Sequence, residues 1–308
     1  MPPISLHRRA GTRPPAVPAS PGHRDSAYGG SGPGGRLSRS APPALARLLR
    51  RYLRIASLAL VTGVFFAILW TVFALLLPAP RLRWPARNAI FRAWARICLR
   101  VIGGRVRVEG PAPRAPFLLV CNHLGYVDIP ALATCADAWF VAKMEMRSWP
   151  IVGILCRSVG TIFIDRKTGR DVLRVNRLIE DVLRRGYGVV IFPEGTSTQG
   201  FEVRRFRTSL LDHAARTGMP VHAAALTYRT APEEPPAHLS VCWWGDAPLF
   251  AHAQRLFELR RFDIVVRFSP VAVSASDRKE LAGRLHREVE RIFEPVVPPD
   301  QRAVETGF

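Results

Sequence analysis

The chain has 308 residues, 48% of them hydrophobic and 22% charged, a balance that excludes a wholly disordered protein and supplies a sizeable core. A formal net charge of +20, carried almost entirely by arginine, narrows the partners to nucleic acid, an anionic membrane surface or an anionic substrate. The cysteines Cys98, Cys121, Cys135, Cys156 and Cys242 form no C-x-x-C pair and are odd in number, which argues against a zinc site or a disulfide framework and fits a reducing compartment.

Residues 1–44 are rich in Pro, Gly, Ser, Ala and Arg without a hydrophobic period, and are expected to form a disordered tail. No apolar run follows Arg8 and Arg9, so the tail is a poor signal peptide. The stretch from Ile55 to Leu77 carries no charge and is long enough to cross about 30 Å of hydrocarbon as a helix. The bland alternative is a buried core helix, but helices apolar on every face at this length are uncommon outside membranes. Arginines flank it on both sides (Arg47, Arg50, Arg51 and Arg54 before; Arg81, Arg83 and Arg87 after), so the positive-inside rule reads no orientation. A helix that dips in and returns competes with a simple span. A basic, partly amphipathic helix follows from Arg87 to Ile102, with Trp84, Phe91 and Trp94 expected as interfacial anchors.

From Arg105 the pattern alternates. Strands are expected at Arg105–Glu109, Phe117–Asn122, Trp139–Ala142, Thr161–Asp165, Gly188–Pro193, Val221–Tyr228, Leu239–Trp243 and Ile264–Phe268. Helices are expected at Asp128–Cys135, Arg170–Arg185, Phe206–Thr217 and Ser276–Phe293. The implied fold class is α/β, a mixed and largely parallel central sheet flanked by helices, preceded by an N-terminal hydrophobic membrane helix region. The boundaries follow: a membrane-associated helical region at 45–104, an α/β domain at 105–296 and a C-terminal tail at 297–308.

Three strand ends carry polar groups. Asn122-His123-Leu124-Gly125-Tyr126-Val127-Asp128 follows the apolar run Phe117–Cys121. Such a loop sits above the carboxyl end of a strand, where ligands of open α/β sheets bind. An Asp five residues after a His can turn back to accept the Nδ1 proton, leaving Nε2 to deprotonate a hydroxyl. Alone, the spacing is weak, because Asp128 is also a good helix cap. A second strand ends in Phe192-Pro193-Glu194-Gly195-Thr196-Ser197, where Glu194 can accept from a polyol or order the loop; a plain turn is the bland alternative. Between them, Gly160-Thr161-Ile162-Phe163-Ile164-Asp165-Arg166 ends in a guanidinium suited to phosphate or carboxylate, or simply paired with Asp165.

The order N-H-x4-D, G-x-I-F-I-D-R, F-P-E-G-T resembles the glycerolipid acyltransferases, closest to the bacterial 1-acylglycerol-3-phosphate acyltransferases, over residues 85 to 275. The resemblance implies transfer of a fatty acyl group from acyl-CoA or acyl carrier protein to the free hydroxyl of a lysolipid, without an acyl-enzyme. His123 is then the general base, oriented by Asp128. Asn122, Arg166, Phe192, Pro193, Glu194, Gly195 and Thr196 would serve the acceptor. It also implies no bound cofactor and no metal, membrane lipids and lysolipid as partners, and an inner-membrane enzyme with its catalytic domain on the cytoplasmic side. One departure is visible: Ser197 stands where members with phosphate-bearing acceptors often carry Arg. Arg207, among Arg204, Arg205 and Arg207 downstream, is taken to supply that cation. The most natural acceptor is 1-acylglycerol-3-phosphate, giving phosphatidate, and the alternative is another lysolipid such as lyso-ornithine lipid.

Two rival classes remain. A membrane-tethered binder of anionic lipid or nucleic acid would explain the charge, but no nucleic-acid module or base-stacking pattern is present, and the basic stretches flank the apolar segment instead. A hydrolase would need a nucleophile; no G-x-S-x-G occurs, and Cys121, two residues from His123, is the remaining option.

Overall fold

The computed structural model describes residues 44–297, so the tails assigned to 1–44 and 297–308 lie outside the described residues except for Ala44 and Val297. The elements are α1 (Ala44–Leu75), α2 (Pro80–Ile102), β1 (Gly104–Glu109), β2 (Leu118–Cys121), α3 (Asp128–Cys135), β3 (Ala138–Lys143), α4 (Val152–Ser158) and β4 (Ile162–Ile164). They continue as α5 (Gly169–Arg184), β5 (Gly188–Ile191), α6 (Asp212–Thr217), β6 (Val221–Thr230), α7 (Ala237–Ser240), α8 (Leu249–Glu258), β7 (Phe262–Phe268) and α9 (Arg278–Ile292).

Seven strands form one sheet in the order β1-β7-β6-β2-β5-β3-β4. Every neighbouring pair is parallel except β6 with β7. The central strands β2 and β5 are buried at every residue, which is why they read as unbroken apolar runs rather than alternating ones. Two cores lie on the two faces of this sheet. One gathers Phe65 and Leu69 of α1, Phe91, Ala95 and Leu99 of α2, Leu132 of α3 and Leu256 of α8. The other gathers Val175 and Ile179 of α5, Ala214 of α6 and Leu281, Leu285 and Val289 of α9.

Helix α1 begins at Ala44, well before the uncharged stretch, because the arginines that precede Ile55 have partners in the fold. Arg50 donates to the carbonyl of Glu258 (2.6 Å), Arg51 to the Glu258 carboxylate (3.0 Å), and Arg54 to the carbonyls of Phe257 (3.1 Å) and Arg260 (3.0 Å). These cations satisfy the orphan carbonyls at the C-terminus of α8, where the helix dipole favours positive charge. Beyond them α1 is long and apolar enough to cross a membrane, and Leu60, Val64, Ile68 and Trp70 are exposed along it.

Helix α2 corrects one expectation. Phe91, Trp94 and Trp84 are packing residues rather than interfacial anchors. Phe91 is buried, Trp94 stacks on it at 5.6 Å between centroids and donates to Thr62 Oγ1 (3.2 Å), and Trp84 packs on Trp139. The Arg87 guanidinium lies between the rings of Trp84 and Trp139, 4.5 and 4.1 Å from their centroids. The helical region and the α/β domain therefore share a core.

Three element expectations change. Leu239–Trp243 is not a strand: Pro236 precedes the short helix α7, and Ser240 Oγ donates back to the Pro236 carbonyl (2.8 Å). A short apolar run does not distinguish the two conformations by period. The helix expected at Phe206–Thr217 is confined to α6, because the first half of that stretch is irregular chain and a turn, with Leu211 N–H donating to the Thr208 carbonyl (3.1 Å). Helices α4 and α8 were not anticipated.

Candidate active site

The parallel pair β2–β5 places the ends of both strands on one rim of the sheet, and the two loops that leave them are tied together. The backbone N–H of His123 donates to Glu194 Oε1 (2.8 Å), and the His123 carbonyl accepts from the N–H of Thr198 (2.9 Å). His123 is thus held by main-chain bonds on both sides, and its ring stacks on Phe192 with centroids 4.2 Å apart.

Asp128 is the first residue of α3 and is fully buried. Its carboxylate reaches backwards into the loop instead of capping its own helix. Oδ2 meets His123 Nδ1 (2.6 Å) and accepts from the N–H groups of Leu124 (2.7 Å) and Gly125 (3.0 Å). Oδ1 accepts from the hydroxyl of Tyr228 on β6. Four donor groups thus surround one carboxylate, and the contact with Asp128 orients the His123 ring through Nδ1, leaving Nε2 clear of it.

Several expected contact residues have other tasks. Asn122 is buried and spends its amide on the main chain of Leu226, donating from Nδ2 (3.0 Å) and accepting at Oδ1 (2.7 Å). It continues the β2–β6 pairing one residue past the strand, so the assignment to substrate contact is corrected. Glu194 is also buried, and its second oxygen accepts from Arg204 N–H (3.2 Å). It orders the turn rather than facing a polyol. Burial raises its pKa to about 7, with a further push from Asp128, against the opposing effect of the two N–H donors and Arg204.

Pro193 receives the N–H of Arg207 on its carbonyl (2.9 Å), and Arg166 donates to the carbonyl of Gly195. Both guanidiniums close on Gly195. A side-chain carbon there would lie 2.7 Å from Arg207 Nε and 2.8 Å from an Arg166 terminal nitrogen, at a φ of +81°. Only glycine serves this turn. Burial and the neighbouring Arg207 lower the Arg166 pKa, with Glu145 as the opposing charge. Two cations converge beside Thr196, which is half-buried, at the rim that holds His123.

The Cys121 alternative fails. Its side chain is completely buried in the core, and burial together with Asp128 and Glu194 pushes the thiol well above its usual range. Sequence reasoning missed Tyr228, whose only signal was a tyrosine inside an apolar strand, where a buried hydroxyl requires a partner. It also passed over Lys143, which ends β3 in register with Ile164 and places a third cation at this edge.

Comparison with known proteins identifies the family and the fold. Residues 105–227 match the profile of the Acyltransferase family. A lyso-ornithine lipid O-acyltransferase of Pseudomonas aeruginosa is 35% identical over 219 residues, covering 70% of this chain and 83% of the relative. A 1-acyl-sn-glycerol-3-phosphate acyltransferase of Neisseria gonorrhoeae is 31% identical over 224 residues, covering 70% and 83%. The fold matches the crystal structure of the 1-acyl-sn-glycerophosphate acyltransferase PlsC from Thermotoga maritima, with a TM-score of 0.57, 20% identity and coverage of 80% of this chain and 97% of that one. Motif order, sheet topology and these relatives converge: the chain belongs to the acyltransferase family and is an acyltransferase.

Proposed function

We propose that this enzyme esterifies the free hydroxyl of 1-acylglycerol-3-phosphate with a fatty acyl group from an acyl thioester, giving phosphatidate. The observation that supports it is the His123–Asp128 pair, clamped to the Pro193–Gly195 turn beside two guanidiniums. His123 Nε2 takes the hydroxyl proton as that oxygen attacks the thioester carbonyl, and Asp128 stabilises the imidazolium. Collapse of the tetrahedral intermediate breaks the carbon–sulfur bond. The thiolate leaves with the proton returned from the imidazolium, and no acyl-enzyme forms. Arg166 and Arg207 flank the acceptor's phosphate, whose charge offsets their mutual repulsion.

A second reading has its own support. Ser197 occupies the position after F-P-E-G-T, and relatives named for lyso-ornithine lipid reach 35% and 34% identity. A carboxylate between the same two arginines would serve that acceptor. In either case α1 holds the enzyme at the membrane, and we place the catalytic domain on the cytoplasmic side of the inner membrane, in keeping with five free cysteines. The test is purified protein with labelled acyl thioester and both acceptors side by side. His123→Ala should lower turnover by about 10² or more while leaving the protein folded. Near-normal turnover in that variant ends the general-base assignment.

A further inference from the structure

A second basic feature lies next to the Pro193–Gly195 turn and shares Arg207 with the site above. Between the chain that follows the turn and helix α9 is a cleft of about 690 Å³, lined by Arg205, Arg207, Thr208, Lys279, His286 and Arg287 among others, with no carboxylate in its wall. Helix α9 is not short of acids: Glu280 pairs with Arg284 (2.5 Å) and Glu288 with Arg291 (2.6 Å). His286 Nδ1 lies 3.8 Å from the Glu290 carboxylate, and none of Glu280, Glu288 and Glu290 lines the cleft. Lys279, Gly283, His286 and Arg287 recur at helical spacing along the cleft wall, and Lys279 and Arg287 are its cations from this helix. Among the described residues, the side chains of Arg205, Lys279 and Arg287 have no ion-pair partner. The cleft is a built feature of the packing, because His286 Nε2 bonds the Val203 carbonyl (2.9 Å) and its ring meets Phe206 edge-on.

The position of the cleft matters as much as its charge. Helix α9 belongs to the core on the sheet face opposite α1 and α2. The exposed apolar side chains Leu60, Val64 and Ile68 belong to α1 and take no part in lining this cleft. Arg207 bridges the two sites: its backbone bonds Pro193 and its guanidinium touches Gly195, while its side chain also lines the cleft. We infer that this cleft binds the phosphate groups of coenzyme A in the acyl donor, a reading that rests on the acyl-thioester chemistry proposed above. A concave site of this volume, with several convergent cations and hydroxyls, suits a compact nucleotide polyphosphate. The acidic helix of a carrier protein would instead dock on an open face.

The test uses the full chain in detergent, the double variant Lys279→Glu/Arg287→Glu, and the charge-keeping control Lys279→Arg/Arg287→Lys. Titration calorimetry with coenzyme A and dephospho-coenzyme A measures binding directly. The expected result is at least about tenfold weaker coenzyme A binding in the charge-reversed variant, with a matching rise in KM for acyl-CoA. The turnover number and the KM for lysolipid should stay unchanged, and the control should bind as wild type does. Equal coenzyme A affinity in wild type and the reversed variant overturns the assignment. So does a KM increase confined to acyl carrier protein thioesters, which would make the cleft a protein-docking surface. If the wild type transfers no acyl group from either thioester, the catalytic reading falls, and coenzyme A binding still decides the cleft.

Discussion

Glu194 offers the sharpest quantitative test of the site. It is buried beside Asp128, and its pKa rises from 4.5 to about 7. That displacement corresponds to roughly 3 kcal/mol favouring its protonated form in the native state. The native protein therefore holds a proton here that the unfolded chain releases near the ordinary glutamate value. The contribution to stability is fully present below the unfolded pKa and is lost as pH rises through about 7. Glu194→Gln removes the titration. The amide keeps one acceptor for the N–H of His123 or of Arg204 but turns its NH2 toward the other, a pH-independent cost of about 1–3 kcal/mol. At about pH 5 the variant should thus be the less stable, and by about pH 8 the gap should close or reverse, a relative change of about 3 kcal/mol. Unfolding followed in detergent at fixed scan rate across this range measures the difference, and comparing the two proteins cancels the other carboxylates. A stability gap that stays constant with pH would refute the raised pKa of the buried Glu194 carboxyl.

Three more outcomes follow from the same geometry. Tyr228→Phe should destabilise the fold by about 1.5–3 kcal/mol, because a buried carboxylate loses a donor, and turnover should fall as Asp128 loses its anchor; unfolding and steady-state kinetics with wild-type values would place the hydroxyl outside the site. Cys121→Ala should retain turnover, since the thiol is packed in the core and kept protonated, and its only expected cost is packing, read by thermal unfolding. Gly195→Ala should raise the KM for the lysolipid at least about tenfold by displacing Arg166 and Arg207, on top of a strain of about 1–3 kcal/mol at a positive φ. An unchanged KM there would separate the two arginines from acceptor binding.

The sequence carried most of the sheet because its strands are apolar runs ended by polar turns, and β2 and β5 read correctly for that reason. It also carried His123 and Asp128, whose spacing lets the carboxylate fold back on the ring. The Leu239–Trp243 run was misread because so short a run, four apolar residues and a serine, lacks a distinguishing period. The exposed-looking aromatics of α2 were misread because an amphipathic helix does not say whether lipid or protein covers its apolar side. Asn122 and Glu194 looked like ligand-facing polar groups beside a catalytic base, yet both are spent on backbone partners far away in sequence.

What the sequence by itself determined were features carried by local order: the α/β alternation, the uncharged helix, and the succession of motifs that marks an acyltransferase. The tertiary structure alone decided which polar groups satisfy each other across the sheet. Tyr228 meets Asp128 a hundred residues away, and Arg207 closes on the Gly195 turn beside Arg166, arrangements set by strand register and burial. Hydrogen-bond satisfaction inside a core is a property of three-dimensional neighbours, and a linear pattern of residue types holds no record of it.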